Sequence, residues 1–230
     1  HKPDRRQRQM CIRDRQGTGS VTLSGNVGSS AGGAASEIST VSVTAPTAIT
    51  LGGDIVTSGD DGDATHPDIT LTGPVVLAKD GTISLITDVG ATTDGDITID
   101  GTLNGTNGQT NALTITSGQG AVAINGIIGA GSNGALGNVA INNTDTSDTG
   151  AISLAGIGSG TTSSNAGIVG TVNIGSNKTS TLTLGGTTYN TDGSTSYQSI
   201  TGSDKILITG TDPVFTTHDD TIAFSTGGIK

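Results

Sequence analysis

Tryptophan is absent, cysteine and methionine occur once each, and only two Phe and two Tyr stand among 230 residues. A compact core normally rests on bulky aromatic and aliphatic side chains, so any interior here must be assembled from Ile, Leu, Val and Ala and must be thin. The single cysteine, Cys11, excludes an internal disulfide and a zinc-thiolate cluster. No run of eighteen apolar residues occurs, so no segment is suited to span a membrane as a helix. Basic charge is scarce as well: six of the ten Lys and Arg lie in the first fifteen positions, and no arginine follows Arg15. Beyond that point four lysines face every acidic residue except Asp4 and Asp14, 18 of 20, which makes the net charge there -14 against -10 for the whole chain. A basic footprint for nucleic acid is therefore missing.

The opening HKPDRRQRQMCIRDR holds the only Met and the only Cys and has no apolar alternation. No apolar stretch follows its basic run, so it does not read as a secretory signal. Its last six residues, Met10 to Arg15, resemble a short peptide that arises when sequencing-adapter DNA is translated. That resemblance implies that residues 1–15 are a non-native or disordered basic segment, and that residues 16–230 form the domain proper.

What is abundant is glycine, 38 residues, and a phrase in which two apolar residues two apart are set among polar ones. The phrase recurs thirteen times. Its pairs are Val21/Leu23, Val41/Val43, Ile49/Leu51, Ile69/Leu71, Ile83/Leu85, Ile97/Ile99, Leu113/Ile115, Val122/Ile124, Val139/Ile141, Ile152/Leu154, Val172/Ile174, Leu182/Leu184 and Ile206/Ile208. Period-two alternation with β-branched residues predicts strands that bury one face. Frequent glycine and the lack of a three-to-four period argue against helix. Between the pairs stand dipeptides such as Asp80-Gly81, Asp94-Gly95 and Asn125-Gly126, which suit tight turns.

Two all-β architectures compete. A sandwich or barrel needs a broad core, for which the aromatic bulk is lacking. A parallel β-helix stacks each short strand on its equivalent one coil later, and this is the architecture the pattern favours. Leu51 to Leu71 and Leu154 to Ile174 are 20 residues apart, while Leu71, Leu85 and Ile99 follow at steps of 14. These spacings suggest a period near twenty, hence about ten coils and a rod near 50 Å at about 4.8 Å per strand. Gly-rich strands of this kind specify their register weakly. The closing FSTGGIK reads as a strand still in progress, as expected of a fragment of a longer repeat protein without a C-terminal cap.

The stretches NALTITSGQGAVAINGIIGAGSNGALGNVAINN, Asn111 to Asn143, and STLTLGGTTYNTDGSTSYQSITGSDKILITG, Ser180 to Gly210, resemble the filamentous haemagglutinin-like passengers of two-partner secretion and autotransporter adhesins. The likeness, one of style, extends over nearly all of residues 20–229. It implies a right-handed parallel β-helix, passage through an outer-membrane secretion partner, and a place outside or on the outer membrane of a Gram-negative bacterium. The role it implies is adhesion to a host, glycan or sibling-cell surface. The secretion domain and the carboxy-terminal barrel of such proteins are not found in this sequence.

Candidate chemistry is sparse. A β-helix can also carry polysaccharide cleavage, but lyases typically need a cationic base or Ca2+ with acidic ligands, and hydrolases need paired carboxylates at a set separation. With four lysines and scattered carboxylates after Arg15, a non-enzyme is expected. His66 beside Asp68, and His218 beside Asp219 and Asp220, lack a nucleophile elbow and read as loop histidines. Two acidic groups could offer oxygens to Ca2+: Asp60, Asp61 and Asp63 with Asp68 nearby, and Asp94, Asp96 and Asp100. Neither has the spacing of an EF-hand or of a Ca2+-loaded β-roll, so solvated turns are the default reading and no obligate cofactor is expected. Sequons occur at Asn104, Asn142 and Asn177.

Overall fold

A computed structural model describes residues 10–13, 19–28, 38–57, 67–88, 94–106, 111–131, 133–143, 149–200, 205–218 and 220–230, the first of these by backbone alone. Along the chain run β1 (Met10–Arg13) and β2 (Ser20–Leu23); β3 (Val41–Thr44), β4 (Ala48–Leu51) and β5 (Ile55–Val56); β6 (Ile69–Thr72), β7 (Val75–Leu77) and β8 (Gly81–Ile86). Next come β9 (Ile97–Asp100), β10 (Leu103–Asn104) and β11 (Asn111–Thr116), then β12 (Val122–Ile124) and β13 (Val139–Ile141), then β14 (Ile152–Leu154) and β15 (Val172–Ile174). The last two rounds are β16 (Leu182–Leu184), β17 (Thr188–Asn190) and β18 (Thr195–Ser199), and β19 (Ile206–Ile208), β20 (Val214–Thr216) and β21 (Ile222–Thr226). A single 3-10 turn, Ser163–Asn165, is the only helical element among the described residues.

Every strand pairing is parallel, and strands pair with the equivalent strand one round later. Sheet A is the eight-stranded ladder β1-β3-β6-β9-β12-β14-β16-β19, and sheet C the seven-stranded ladder from β5 to β21. Sheet B consists of β2-β4-β7-β10 and β17-β20, joined by single bridges Leu103–Ile128–Ile157–Tyr189. The chain is thus an all-β parallel solenoid with three faces. The thirteen apolar pairs all lie in strands, and apart from Val21 and Ile208 their side chains are buried. The reason is the pleat: residues two apart point to one side, so the Ile, Leu and Val of each pair enter the interior while the residue between them, Thr, Ser or Ala in all but Asn173 and Leu207, faces out.

The coil is longer than the sequence spacings suggest. Register partners in sheet A, namely Val41, Ile69, Ile97, Val122, Ile152, Leu182 and Ile206, follow one another at 28, 28, 25, 30, 30 and 24 residues. Six turns separate the first from the last, and at about 4.8 Å each they advance about 30 Å. The apparent period of twenty compared different faces. Leu51 belongs to sheet B and Leu71 to sheet A, and Leu154 and Ile174 belong to A and C. The true partner of Leu71 is Ile99, 28 residues on, two steps of 14 by way of Leu85 in sheet C.

Like stacks on like along the axis: Ile69 on Ile97, Leu71 on Ile99, and outside them Thr70 on Thr98. Each fully buried Ile or Leu contributes about 1.5–3 kcal/mol of burial, and column packing fixes the register that Gly-rich strands leave loose. All four aromatic residues share one end. Tyr189 stacks on Phe215 in sheet B, centroids 4.8 Å apart at 11°, and Tyr197 on Phe224 in sheet C, 5.3 Å apart at 22°. The two stacks meet edge to face, Tyr189 to Tyr197 at 6.2 Å. The strand spacing itself imposes the stacking, since partners in register are one strand apart.

The three connections of a coil differ in kind. From A to B the chain turns tightly, as from Thr72 to Val75 and from Asp100 to Leu103. Glycines make this turn possible: a Cβ on Gly101 would overlap the carbonyl oxygen of Gly73 one coil below, and one on Gly126 would overlap that of Gly101. From C to A the separation varies, from Val56 to Ile69, Ile86 to Ile97, Thr116 to Val122 and Ile141 to Ile152. From B to C it varies as well, from Leu51 to Ile55, Asn104 to Asn111, Ile128 to Val139 and Ile157 to Val172, so connections of variable length leave the rod at two corners.

Candidate functional site

Most buried polar side chains collect at the corner between sheets C and A, while Asn111, Asn190, Thr191 and Thr195 lie at the corner between B and C. Thr57 and Thr87 each follow the last strand residue of sheet C, and both are wholly buried. The Thr57 hydroxyl donates to the Pro67 carbonyl, and Thr87 Oγ1 donates to the Gly95 carbonyl at 2.6 Å. In the next coil Ser117 Oγ donates to Gly120 O at 2.7 Å. Each bond ties the point where the chain leaves sheet C to the point where it rejoins sheet A, two residues before the first inward residue of the next strand. One coil further, Asn142 reaches back: its Oδ1 accepts from Ser117 N at 2.8 Å and its Nδ2 donates to Ser117 Oγ at 2.9 Å. Asn142 holds a positive φ of 43°, a conformation that Asn tolerates better than most residues. A buried polar group without such a partner would cost about 1–3 kcal/mol, so the corner is closed by design of the side chains.

A second polar device runs on the outside. Asp68 Oδ1 accepts from Asp96 N at 2.8 Å, and Asp96 Oδ1 accepts from Ala121 N at 2.7 Å, each acceptor one coil below its donor. Sheet C repeats it: Asn26 Oδ1 accepts from Asp54 N, Asp54 Oδ1 from Ser84 N, and Asn138 Oδ1 from Thr171 N. In every case the Asp or Asn immediately precedes the first inward residue of its strand or bridge. Its carboxylate or amide bridges to the backbone N–H of the equivalent place in the next coil. Lys79 Nζ lies 3.6 Å from Asp54 Oδ1 and offsets that carboxylate's charge.

These devices place the acidic residues singled out from the sequence. Asp60, Asp61 and Asp63 lie outside the described residues, as do His66 and Asp219. Asp94, Asp96 and Asp100 separate. Asp96 is exposed and engaged with Ala121; Asp100 is exposed and its Oδ1 accepts from Asn125 Nδ2 at 2.6 Å. Asp94 turns inward, 7% exposed, with Oδ2 accepting from Gln119 N at 2.8 Å and Oδ1 without a partner. Beside it lies a residue the sequence reading passed over: Asp88, at the start of the same connection. A Cβ on Gly118 would overlap Asp94 Oδ2 and lie 2.8 Å from Asp94 Cγ and 3.0 Å from Asp88 Cγ, so both carboxyl groups border Gly118 and Asp94 Oδ2 takes the space that its missing side chain leaves. Among the described residues no three His, Cys, Asp or Glu gather as a metal-binding group.

The histidine candidates are dispersed too. His218 Nε2 pairs with Asn190 Oδ1 at 3.0 Å, whereas Asp220 Oδ1 accepts from Ser194 Oγ at 2.6 Å, so the histidine bonds to neither this serine nor this aspartate. Of the sequons, Asn142 is buried with its amide consumed by Ser117, Asn104 Oδ1 accepts from Ala130 N, and Asn177 is exposed. Tyr189 OH donates to Leu154 O and accepts from Gly186 N; burial pushes this phenol up to about 12, against the opposing backbone bond from Gly186. Burial also raises Tyr197, with the neighbouring Tyr189 adding to it.

Comparison with protein-family models, with curated proteins and with solved structures finds no match to this chain. No helix among the described residues is long and apolar enough to cross a membrane.

Proposed function

We propose that the protein is a non-catalytic segment of an exported bacterial surface adhesin, in which the solenoid is a stiff stalk and its connections make many weak contacts. The carrying observation is the corner at which connections leave sheet C and rejoin sheet A, coil after coil, with three of their bases tied by Thr57, Thr87 and Ser117. A row of anchored loops along a rigid axis suits multivalent contact, in which linked weak sites gain about 10²–10⁴ in avidity. The resemblance of Asn111 to Asn143 to adhesin passengers supports the same reading. On this reading the protein acts on or outside a Gram-negative outer membrane, is delivered by an outer-membrane secretion partner, and has a host, glycan or sibling-cell surface as its target.

The alternative is a spacer that binds nothing. It draws on the inter-coil bonds of Asp68, Asp96 and Asn138, which commit outward polar groups to holding the rod together. The discriminating experiment presents the full chain singly and in many copies on beads to bacterial cells, epithelial cells and an immobilised glycan panel. Adhesion expects retention of the beads and weak binding of the single chain. Beads that are retained by none of these surfaces would leave the spacer. Release of reducing ends from a polysaccharide by the purified chain would overturn the non-catalytic reading.

A further inference from the structure

We propose that Asn125 is a site of spontaneous deamidation, at which the side-chain amide is exchanged for an acid and the rod ages from one turn. Asn125 follows Ile124, the last residue of β12, and stands exposed where the chain leaves sheet A for Ile128 in sheet B. Glycine follows it because the coil admits nothing larger: a Cβ on Gly126 would overlap the carbonyl oxygen of Gly101. An asparagine followed by glycine is the least protected kind, since no side chain shields the next main-chain nitrogen from the amide carbon. The fold therefore demands the very glycine that makes this asparagine labile.

Hydrogen bonding separates Asn125 from the other Asn-Gly pairs. A main-chain nitrogen whose hydrogen is already bonded reacts only after local opening. Gly105 N, after Asn104, donates to Gly134 O at 2.8 Å, and Asn104 Oδ1 accepts from Ala130 N. Gly134 N, after Asn133, donates to Gly131 O at 3.2 Å. Gly126 N donates to none of the described residues. The Asn125 side chain is tethered through Nδ2, which donates to Asp100 Oδ1 at 2.6 Å, but on the exposed surface, where water competes for both groups. Asn107 and Gly108 lie outside the described residues.

In the reaction Gly126 N bonds to Asn125 Cγ and the Cγ–Nδ2 bond breaks. The proton given up by Gly126 N leaves with the side-chain nitrogen as ammonia, and a succinimide remains. Water then opens the ring: cleavage between Cγ and the ring nitrogen gives aspartate, and cleavage at the main-chain carbonyl gives isoaspartate, whose main chain runs through Cγ. Either product disturbs this turn. Aspartate sets a second carboxylate against Asp100, and like charges facing one another on neighbouring strands repel. Isoaspartate adds a carbon to the main chain of a turn already packed against the Gly101 carbonyl. The site neither requires nor follows from the adhesive reading.

The test incubates the full chain in mildly alkaline buffer at physiological temperature, folded and in concentrated urea, and follows each Asn-Gly peptide by mass spectrometry after proteolysis. In urea the peptides of Asn104, Asn125 and Asn133 should convert at similar rates. In the folded chain Asn125 should convert about tenfold faster than Asn104 or Asn133, and enzymatic methylation of the digest should reveal isoaspartate at that position. The unfolding temperature should fall more on incubation for the wild type than for Asn125→Gln, whose longer side chain would have to close a larger ring. Asn125→Asp, made directly, should unfold below the wild type at low salt, and adding Asp100→Asn should recover the loss. An Asn125 amide that converts no faster than those of Asn104 and Asn133 in the folded chain would overturn the site. An Asn125→Asp chain as stable as the wild type would overturn the clash with Asp100.

Discussion

Replacing Thr87 by Val probes whether the corner hydroxyls hold the rod together. Valine keeps the shape and β-branching, so the perturbation is confined to one oxygen. Thr87 is wholly buried, Gly95 beside it is buried too, and Thr87 Oγ1 donates to the Gly95 carbonyl at 2.6 Å. Removing the donor leaves that carbonyl inside the protein without the hydroxyl, a penalty of about 1–3 kcal/mol. The methyl that replaces the hydroxyl recovers part of it, so a net loss of about 1–2 kcal/mol is expected. For a chain of this size 1 kcal/mol displaces the midpoint by about 2–4 °C, which puts the fall at about 2–8 °C. The assay is urea and thermal unfolding followed by far-ultraviolet circular dichroism, compared with Thr98→Val, whose side chain faces outward between Ile97 and Ile99 and should change stability by less than about 0.5 kcal/mol. Thr87→Ser should regain most of the loss. If Thr87→Val proves as stable as Thr98→Val, the hydroxyl contributes nothing net and the reasoning about the corner fails.

Gly126→Ala should destabilise by about 1–3 kcal/mol in urea unfolding, because the added methyl meets the Gly101 carbonyl, while Gly25→Ala, with open space around its Cβ, should change little. Ile97→Ala empties the middle of a fully buried column and should cost about 2–5 kcal/mol, against little for Ile127→Ala, 40% exposed. Alkaline titration supplies a further check. Tyr189 is raised to about 12 from 10.0, so its contribution to stability is complete below pH 10 and is lost as the pH rises through about 12. Tyrosinate absorbance should therefore appear late and together with unfolding; ionisation near pH 10 with the fold intact would contradict the buried placement.

Much of the fold could be read from alternation, because most of the described Ile, Leu and Val are inward residues. The strands that escaped are those where polarity and burial part company. In β18 the inward positions include Thr195 and Ser199, 3% and 0% exposed, so counting apolar residues passes over them. In β7 the adjacent Val75, Val76 and Leu77 blur the period of two. The coil length is hidden in the sequence for a geometric reason: three faces interleave along one chain, and neighbouring phrases belong to different faces. The acidic stretch DGDITID showed carboxylates but not their directions. Asp94 precedes the tied Gly95 and turns in, whereas Asp96, just before the strand, and Asp100, its last residue, turn out. Asp88 carried no signal, since its nearness to Asp94 arises only when Thr87 closes the connection.

The gathering of Tyr189, Tyr197, Phe215 and Phe224 gives the molecule an optical label at one end. With no tryptophan anywhere, near-ultraviolet dichroism and tyrosine emission arise from the last two coils alone, while the far-ultraviolet signal sums over every strand. Two spectra of one unlabelled sample therefore time the melting of the C-terminal end against that of the rest, and any gap between the two curves measures how far cooperativity extends along the axis.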